Sequence, residues 1–199
     1  MGAEKQLDQL LEQLEIRSYT NTLPMEEYRS LYQDIPLFLG YCKECNNYGR
    51  QWVCPPFDFD PDEYLLPYST VCLHGYQVEL PEELTSRKYT PEEKYTLAYE
   101  VARVVRERID PLLLAEEKKH PGSEAFLPGK CHLCPDGACT RLASPQRPCR
   151  YPERARHSLE QFGFDLYRSA AELLGVPMLW GSENTIPPYY FYIGALLTP

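Results

Sequence analysis

The sequence lacks any apolar run long enough to cross a lipid bilayer. Its N-terminal segment, MGAEKQLDQLLEQLEIR, is charged and amphipathic, unlike a secretory signal with its apolar central region. We therefore expect a cytoplasmic protein that does not associate with membranes. In a reducing compartment, cysteines are more often metal ligands or catalytic thiols than disulfide partners.

Signals for nucleotide and nucleic-acid binding are also missing. None of the 11 glycines falls in a G-x-G-x2-G or P-loop pattern, so NAD or ATP binding has no support. The net charge of −9 argues against a nucleic-acid partner. No Ser/His/Asp grouping can be read from the sequence, which therefore names no catalytic residue and leaves open whether the protein is an enzyme.

Cysteine is the residue that the sequence has in excess, with eight in 199 residues. Seven of them form two groups with short spacings. The first group is Cys42, Cys45 and Cys54, and the second group is Cys131, Cys134, Cys139 and Cys149. Each group begins with C-x2-C, a turn that places two thiolates on one side of a loop, where backbone N–H groups can reach the sulfurs. Two such groups predict metal binding.

The spacing of the remaining cysteines favours iron–sulfur over zinc. A zinc ribbon repeats a close pair of ligands, because tetrahedral zinc takes two ligands from each of two knuckles. Here each C-x2-C pair is followed by single cysteines, as suits a [4Fe–4S] cluster in which each iron takes one thiolate. Prolines beside Cys54, Cys134 and Cys149 also resemble iron–sulfur loops. Structural zinc and metal-free thiol chemistry remain the alternatives.

Basic residues gather around the second cysteine group although the chain is acidic. They are Lys130, Arg141, Arg147, Arg150, Arg154 and Arg156. Cations near a thiolate-held cluster stabilise its negative charge and lower the pKa of the thiols. The same residues are also compatible with a solvated surface or with a site for an anionic substrate.

The number of cysteines leaves the number of centres open. The second group has the four ligands that one [4Fe–4S] cluster needs, whereas the first group has three. In the first group an iron would stay open to substrate, or Cys72 or a non-cysteine residue would complete the site. A third arrangement merges both groups around one centre, so the cofactor is one or two [4Fe–4S] clusters, with zinc as the alternative.

Hydrophobic and capping patterns predict an α+β fold, a small mixed sheet with packed helices. We expect a single metal-binding domain over residues 1–199, with its cysteine loops at 42–56 and 131–152. The predicted helices are 3–16, 91 to about 109 with a second piece from Pro111 toward His120, and 165–174. The predicted extended segments are 35–39, 69–80 and 185–197.

Two longer motifs carry a family resemblance. They are C-x2-C-x2-Y-G-x2-W-x-C-P-P from Cys42 to Pro56, and C-x2-C-x4-C followed by P-C-R-x-P-E-x-x-R and S-L-E-x-F-G-F-D-L from Cys131 to Leu166. Together they resemble the predicted metal-binding protein family of anaerobic bacteria and archaea. The resemblance implies a cysteine-bound metal centre and supplies no reaction.

Three further residues of these motifs are candidates for contacts with the bound group. We expect Trp52 to pack over the first centre and to shield it, with core packing as its alternative role. Arg150 and Arg154 are expected to bond a cluster sulfide or a bound carboxylate or phosphate. Pairing with Glu153 or Glu160 is the alternative for Arg154.

Three functions are compatible with these features. The first is a redox protein, which transfers electrons or reduces or desulfurates a small molecule at an open iron. The second is a zinc module whose loops recognise a partner protein. The third is an accessory protein that delivers or senses a metal or cofactor. The expected partners are therefore a redox partner protein or a small-molecule substrate.

Overall fold

The computed structural model of the chain describes residues 3–135, 138–144 and 146–199. Asp136, Gly137 and Pro145, which belong to the second predicted cysteine loop, lie outside the described residues. The fold is α+β, as predicted. Four strands form one antiparallel sheet in the order β1-β2-β4-β3, and their bounds are Ile16–Pro24 (β1), Thr70–Glu79 (β2), Glu124–Phe126 (β3) and Tyr189–Thr198 (β4).

Eight α-helices occur among the described residues. They are Ala3–Glu12 (α1), Met25–Tyr32 (α2), Ile35–Glu44 (α3), Pro61–Leu65 (α4), Glu82–Thr85 (α5), Pro91–Lys119 (α6), Thr140–Ala143 (α7) and Leu166–Arg168 (α8). A 3-10 helix covers Leu159–Phe162, and a π-helical turn at Ser169–Leu173 continues α8. None of these helices is long and apolar enough to span a membrane.

Side chains alternate along each strand, so that successive residues point to opposite faces of the sheet. A hydrophobic core lies against each face. On β2, Val71 and Leu73 belong to a core shared with α2 and the 3-10 helix. Tyr76 and Val78 point to the opposite face, where the long helix α6 packs. The central strands therefore hold both layers in place. The first cysteine motif runs from the last turn of α3 to the segment before α4, and the second follows the edge strand β3.

The long helix α6 is continuous where a break was expected. Thr90 caps its N-terminus, because its hydroxyl accepts the Glu93 N–H at 3.2 Å and the Glu93 carboxylate accepts the Thr90 N–H at 2.7 Å. Pro111 removes one hydrogen bond but does not end the helix. Ile109 and Leu113 are buried in the same core on either side of the proline, and this packing keeps the chain helical.

Two other predictions at the N-terminal side were wrong. Residues 35–39 are not extended but open α3, because the Asp34 carboxylate caps the Leu37 N–H at 3.0 Å and Pro36 suits a first helical turn. Ile16 does not end the first helix but opens β1, which pairs with β2 along its whole length. Mostly polar β1 has no clear alternation to reveal it. The strands at 69–80 and 185–197 and the helix at 165–174 are confirmed with small shifts in their bounds.

Candidate metal centre

The first cysteine motif begins in a helix rather than on a loop. Cys42 lies in the last turn of α3, and Cys45 caps that helix, with its N–H donating to the Cys42 carbonyl at 3.0 Å. The Asn47 N–H reaches the Cys45 sulfur at 3.5 Å. Gly49 then turns the chain with a φ of +68°, and its N–H donates to the Pro55 carbonyl at 2.7 Å. This closure brings Cys54 back beside the other two cysteines, and the positive φ that it requires is readily adopted by a glycine.

The three cysteines of the first motif line one cavity of about 100 Å³, called the first cavity below. The other described residues of its wall are Asn47, Tyr48, Pro55, Gly129, Lys130, Glu160 and Gln161. The amide of Gln161 donates to the Cys54 sulfur at 3.4 Å. Cys54 is buried while Cys45 is exposed, so the cavity has a closed inner end and a rim open to solvent.

Burial determines the protonation of these thiols. Burial raises the pKa of Cys54 to about 12, and the charges of Cys45, Cys42 and Glu160 add to the effect. The pKa of Cys42 is also raised, first by burial and then by the Glu160 charge. Negative charges crowded in one space oppose each other unless a cation joins them. A bound metal is such a cation, because it holds its thiol ligands in the deprotonated form.

The four cysteines of the second motif line a separate and tighter cavity of about 20 Å³, called the second cavity. Gln51, Trp52, Val53, Leu133 and Ala155 complete its described wall. The Tyr151 N–H reaches the Cys149 sulfur at 3.4 Å. Burial raises the pKa of both Cys131 and Cys149, and the neighbouring thiols of the motif raise it further. Backbone N–H groups therefore approach a sulfur in each motif, as expected for metal-binding cysteine turns.

Gln51 joins the two motifs from between the cavities. Its side chain is buried, accepts the Cys131 N–H at 3.0 Å and donates to the Cys131 carbonyl at 3.3 Å. The Cys54 thiol lies 3.8 Å from the same side-chain oxygen. One amide thus contacts a cysteine of each motif, and the two cavities are neighbours.

Arg141 makes the second link. Its guanidinium donates to the carbonyls of Gln51, Cys54 and Pro56 at 2.7, 2.6 and 2.8 Å. It also lies 5.6 Å above the centre of the Trp52 ring. Arg141 therefore serves the first motif although it belongs to the second, and its charge is used to hold backbone carbonyls.

Arg106 of α6 positions the segment that leads into the second motif. The residue is buried, pairs with Asp110, and donates to the carbonyls of Pro128 and Lys130. The planar guanidinium, with its five N–H donors, binds all three acceptors at once. The long helix thereby fixes the chain immediately before Cys131.

Trp52 lies in the wall of the second cavity and is not part of the described wall of the first. Its indole N–H donates to the Thr140 hydroxyl at 2.9 Å. That hydroxyl in turn donates to the Pro148 carbonyl at 2.8 Å. Trp52 therefore belongs to the first motif in sequence but lines the cavity of the second motif.

Arg150, Arg154 and Cys72 lie outside both cavity walls. Arg150 is exposed and donates to the Ala138 carbonyl at 3.0 Å, which closes the second loop on itself. Arg154 lines an open cleft of about 530 Å³ that also contains His132. Cys72 is a half-buried residue of β2, where it pairs with Thr22 and Leu196. Cys72 is therefore not the missing ligand of the first motif.

Sequence reasoning missed four residues that build the two cavities. They are Gln51, Arg106, Glu160 and Gln161. Glu160 was considered only as an ion-pair partner of Arg154, whereas the structure places it in the wall of the first cavity. No local pattern marks these residues, since their contacts join positions as far as 107 residues apart.

Comparison with known proteins agrees with a metal-binding role. A family model described as "Predicted metal-binding protein (DUF2284)" matches residues 36–197. The chain belongs to this family. The match includes both cysteine motifs and all residues of both cavity walls. No curated protein and no solved structure matches the chain.

The donor sets fit a metal that prefers sulfur ligands. Within residues 3–135, 138–144 and 146–199, no group of three or more His, Cys, Asp or Glu side chains is already arranged as a site for one metal ion. The thiols instead stand around two cavities. Each cavity therefore suits a metal ion or cluster bound between the thiols of its wall.

Proposed function

We propose that the protein is an iron–sulfur protein with one cluster in each cavity and a redox function. The observation that carries the proposal is that seven of the eight cysteines line two adjacent cavities. Four thiolates in the second cavity satisfy a whole [4Fe–4S] cluster, and three in the first cavity leave one position for another ligand. The family description supports a metal without naming which one.

The residues around the cavities have roles that do not depend on the reaction. A bound cluster supplies one-electron transfer and, at an iron without a thiolate, Lewis-acid chemistry. Backbone N–H groups and the Gln161 amide donate to cysteine sulfurs, and such bonds tune a cluster's reduction potential. Lys130 adds a positive charge to the wall of the first cavity. Trp52 shields the second cavity from water.

Access to the two cavities supports different uses. The second cavity is walled by apolar and aromatic side chains and suits electron storage or transfer. The first cavity opens to solvent beside exposed Cys45, where a small molecule or a redox partner protein can approach. We propose reduction or desulfuration of a small molecule at the first cavity, in a cytoplasmic protein that binds neither nucleic acid nor membrane.

Structural zinc is the second candidate, and the size of the second cavity favours it. A volume of about 20 Å³ accommodates a body of about the size of one water molecule, and thus a single ion more readily than a cubane. In that case the second motif is a closed four-thiolate zinc site whose loop recognises a partner or supports an accessory role.

The test is the content of iron, zinc and acid-labile sulfide in protein purified without oxygen. Two four-iron clusters require about eight iron and eight sulfide per chain. About four of each indicates one cluster, and additional zinc would assign the second motif to that metal. Zinc without sulfide would replace the redox proposal with the zinc module, and protein without any metal would overturn both.

A further inference from the structure

The first motif supplies three thiolates, and Glu160 lies in the wall of the same cavity. We propose that Glu160 is the fourth protein ligand of the first cavity, so that a metal centre there is held by three thiolates and one carboxylate. This inference rests on the proposed function, because it concerns a centre in that cavity. It removes the permanently open iron expected from the number of cysteines.

The composition of the cavity wall singles out this residue. Among the described residues of the wall, Glu160 is the only carboxylate and no histidine is present. The next residue in the chain, Gln161, donates to the Cys54 sulfur at 3.4 Å. A carboxylate oxygen is an accepted ligand of zinc beside cysteine sulfur.

The carboxylate has an unused oxygen in the cavity wall. The residue as a whole is partly buried, but its Oε2 atom is shielded from solvent and has no hydrogen-bond partner among the described residues. A buried carboxylate oxygen without a hydrogen bond costs free energy, and buried charged groups in native proteins are normally paired or coordinate a metal. Coordination of a metal by Oε2 would remove this cost.

Backbone contacts connect the 3-10 helix that carries Glu160 to the helix α3 that carries Cys42. The 3-10 helix that carries Glu160 ends at Gly163, whose φ is +87° and whose carbonyl accepts the Asp34 N–H at 2.8 Å. A Cβ atom at Gly163 would lie 2.7 Å from the Ile35 Cα atom, so this helix packs directly on the start of α3. The other end of α3 carries Cys42.

Carboxylate ligation would also determine where a substrate binds. Iron–sulfur centres prefer soft sulfur ligands, and a single oxygen ligand is the one most readily displaced by an incoming molecule. Exposed Cys45 places the rim of the cavity in contact with solvent. The substrate class that fits is a small molecule with a sulfur or nitrogen donor, which would replace the carboxylate at the metal.

The experiment compares four variants with the wild type, all purified without oxygen. Cys45→Ser establishes whether the first cavity holds a metal. Glu160→Gln keeps the shape of the side chain but removes the anionic ligand, and Glu160→Cys replaces the oxygen with sulfur. Glu83→Gln is the matched control, because Glu83 is exposed on α5 and lies outside both cavity walls.

Metal retained against a chelator and the Mössbauer or X-ray absorption spectrum of the metal are the readouts. We expect Glu160→Gln to weaken retention at one centre by about 10- to 100-fold or more, Glu160→Cys to retain metal with an altered spectrum, and Glu83→Gln to behave as wild type. Equal retention and an unchanged spectrum in Glu160→Gln would overturn the inference. If Glu160→Gln does not fold, an unchanged spectrum in Glu160→Cys overturns it in the same way.

Failure of the proposed function is a different result. If Cys45→Ser loses no metal relative to the wild type, the first cavity holds no centre, and the proposal for that cavity fails before Glu160 is considered. If Cys45→Ser loses metal and the Glu160 variants do not change it, the centre exists and only the carboxylate ligand is wrong.

Discussion

The two cysteine cavities differ in how the chain builds them. The first cavity is assembled from regular elements, since Cys42 lies in the last turn of α3 and Glu160 lies on the 3-10 helix packed against that helix. The second cavity takes its four cysteines from residues 131–152, a mostly irregular segment that contains the four-residue helix α7, and most of the rest of its described wall from Gln51, Trp52, Val53 and Ala155. Packing of the sheet and helices therefore positions the first set of ligands, whereas the second set depends on links from Gln51, Arg106 and Arg141.

This contrast has a physical consequence. Irregular segments have few buried apolar contacts and open locally at low free-energy cost. A group bound by four thiolates would supply the order that the second loop lacks, while the first cavity is already shaped by the fold. A metal is thus expected to be mainly structural for the second motif, and the first motif is better suited to a reactive centre.

The largest expected effect is that of metal removal. After a chelator treatment, cleavage by trypsin at Arg141 and Arg150, within the second loop, should accelerate at least about tenfold, equivalent to about 1.4 kcal/mol of local stability. Cleavage at Lys43 in α3 should change much less, because Asp34 caps that helix and its first turn lies against Gly163. Limited proteolysis followed by mass spectrometry measures both. Equal acceleration at the two motifs would remove the distinction between them.

Gly163→Ala should damage the first cavity selectively. The new side chain would adopt an unfavourable positive φ and collide with the backbone of Ile35. We expect a loss of about 2–4 kcal/mol in the free energy of unfolding, measured by denaturant titration, together with loss of metal from the first centre. Gly175→Ala is the control, because Gly175 also has a positive φ of +71° but has no neighbouring atom within 4 Å of an added Cβ. A similar loss in both variants would refute the role of the packing contact.

Arg141→Lys should weaken the connection between the cavities. A lysine cannot donate in a fork to three carbonyls, and we expect a loss of about 1–2 kcal/mol and weaker retention of metal. Arg108→Lys is a matched control, since Arg108 also donates to three carbonyls, those of Leu11, Glu12 and Leu14, far from the cysteines in sequence. The control should lose stability without losing metal. Equal metal retention in both variants would show that Arg141 has no specific role at the cavities.

The smallest effect concerns His157, whose ring nitrogen Nδ1 lies 2.9 Å from the Val53 carbonyl. Burial lowers the pKa of His157, with Glu124 and Arg156 as the charged groups that face it. The unfolded chain therefore takes up a proton near pH 6.5 that the folded chain takes up only at lower pH.

Stability should accordingly be unaffected by this group above pH 6.5 and should fall below it, by at most about 1.4 kcal/mol per pH unit. His157→Gln should reduce this slope in denaturant titrations between pH 7 and 5. His120→Gln, at an exposed position, is the control. An identical slope in the wild type and His157→Gln would contradict the prediction.

Several elements of the fold could be predicted because their signals are local. Thr90, Pro91 and Glu93 form a capping box that is visible in the sequence, and it starts α6 as expected. The strands β2 and β4 carry the β-branched and aromatic residues typical of buried strands. In contrast, β1 is polar and is specified by pairing with β2, which no local pattern reveals.

The candidate site also has features that the sequence predicts and features that depend on the tertiary structure. The sequence alone determined that the chain carries two cysteine groups suited to metal, because C-x2-C spacing is a local property of a turn. Only the tertiary structure decided that the groups line two neighbouring cavities, that Trp52 faces the second of them, and that Glu160 joins the first. The reason is that these contacts join residues 80 to 107 positions apart, and packing of the sheet and helices, not local preference, brings such residues together.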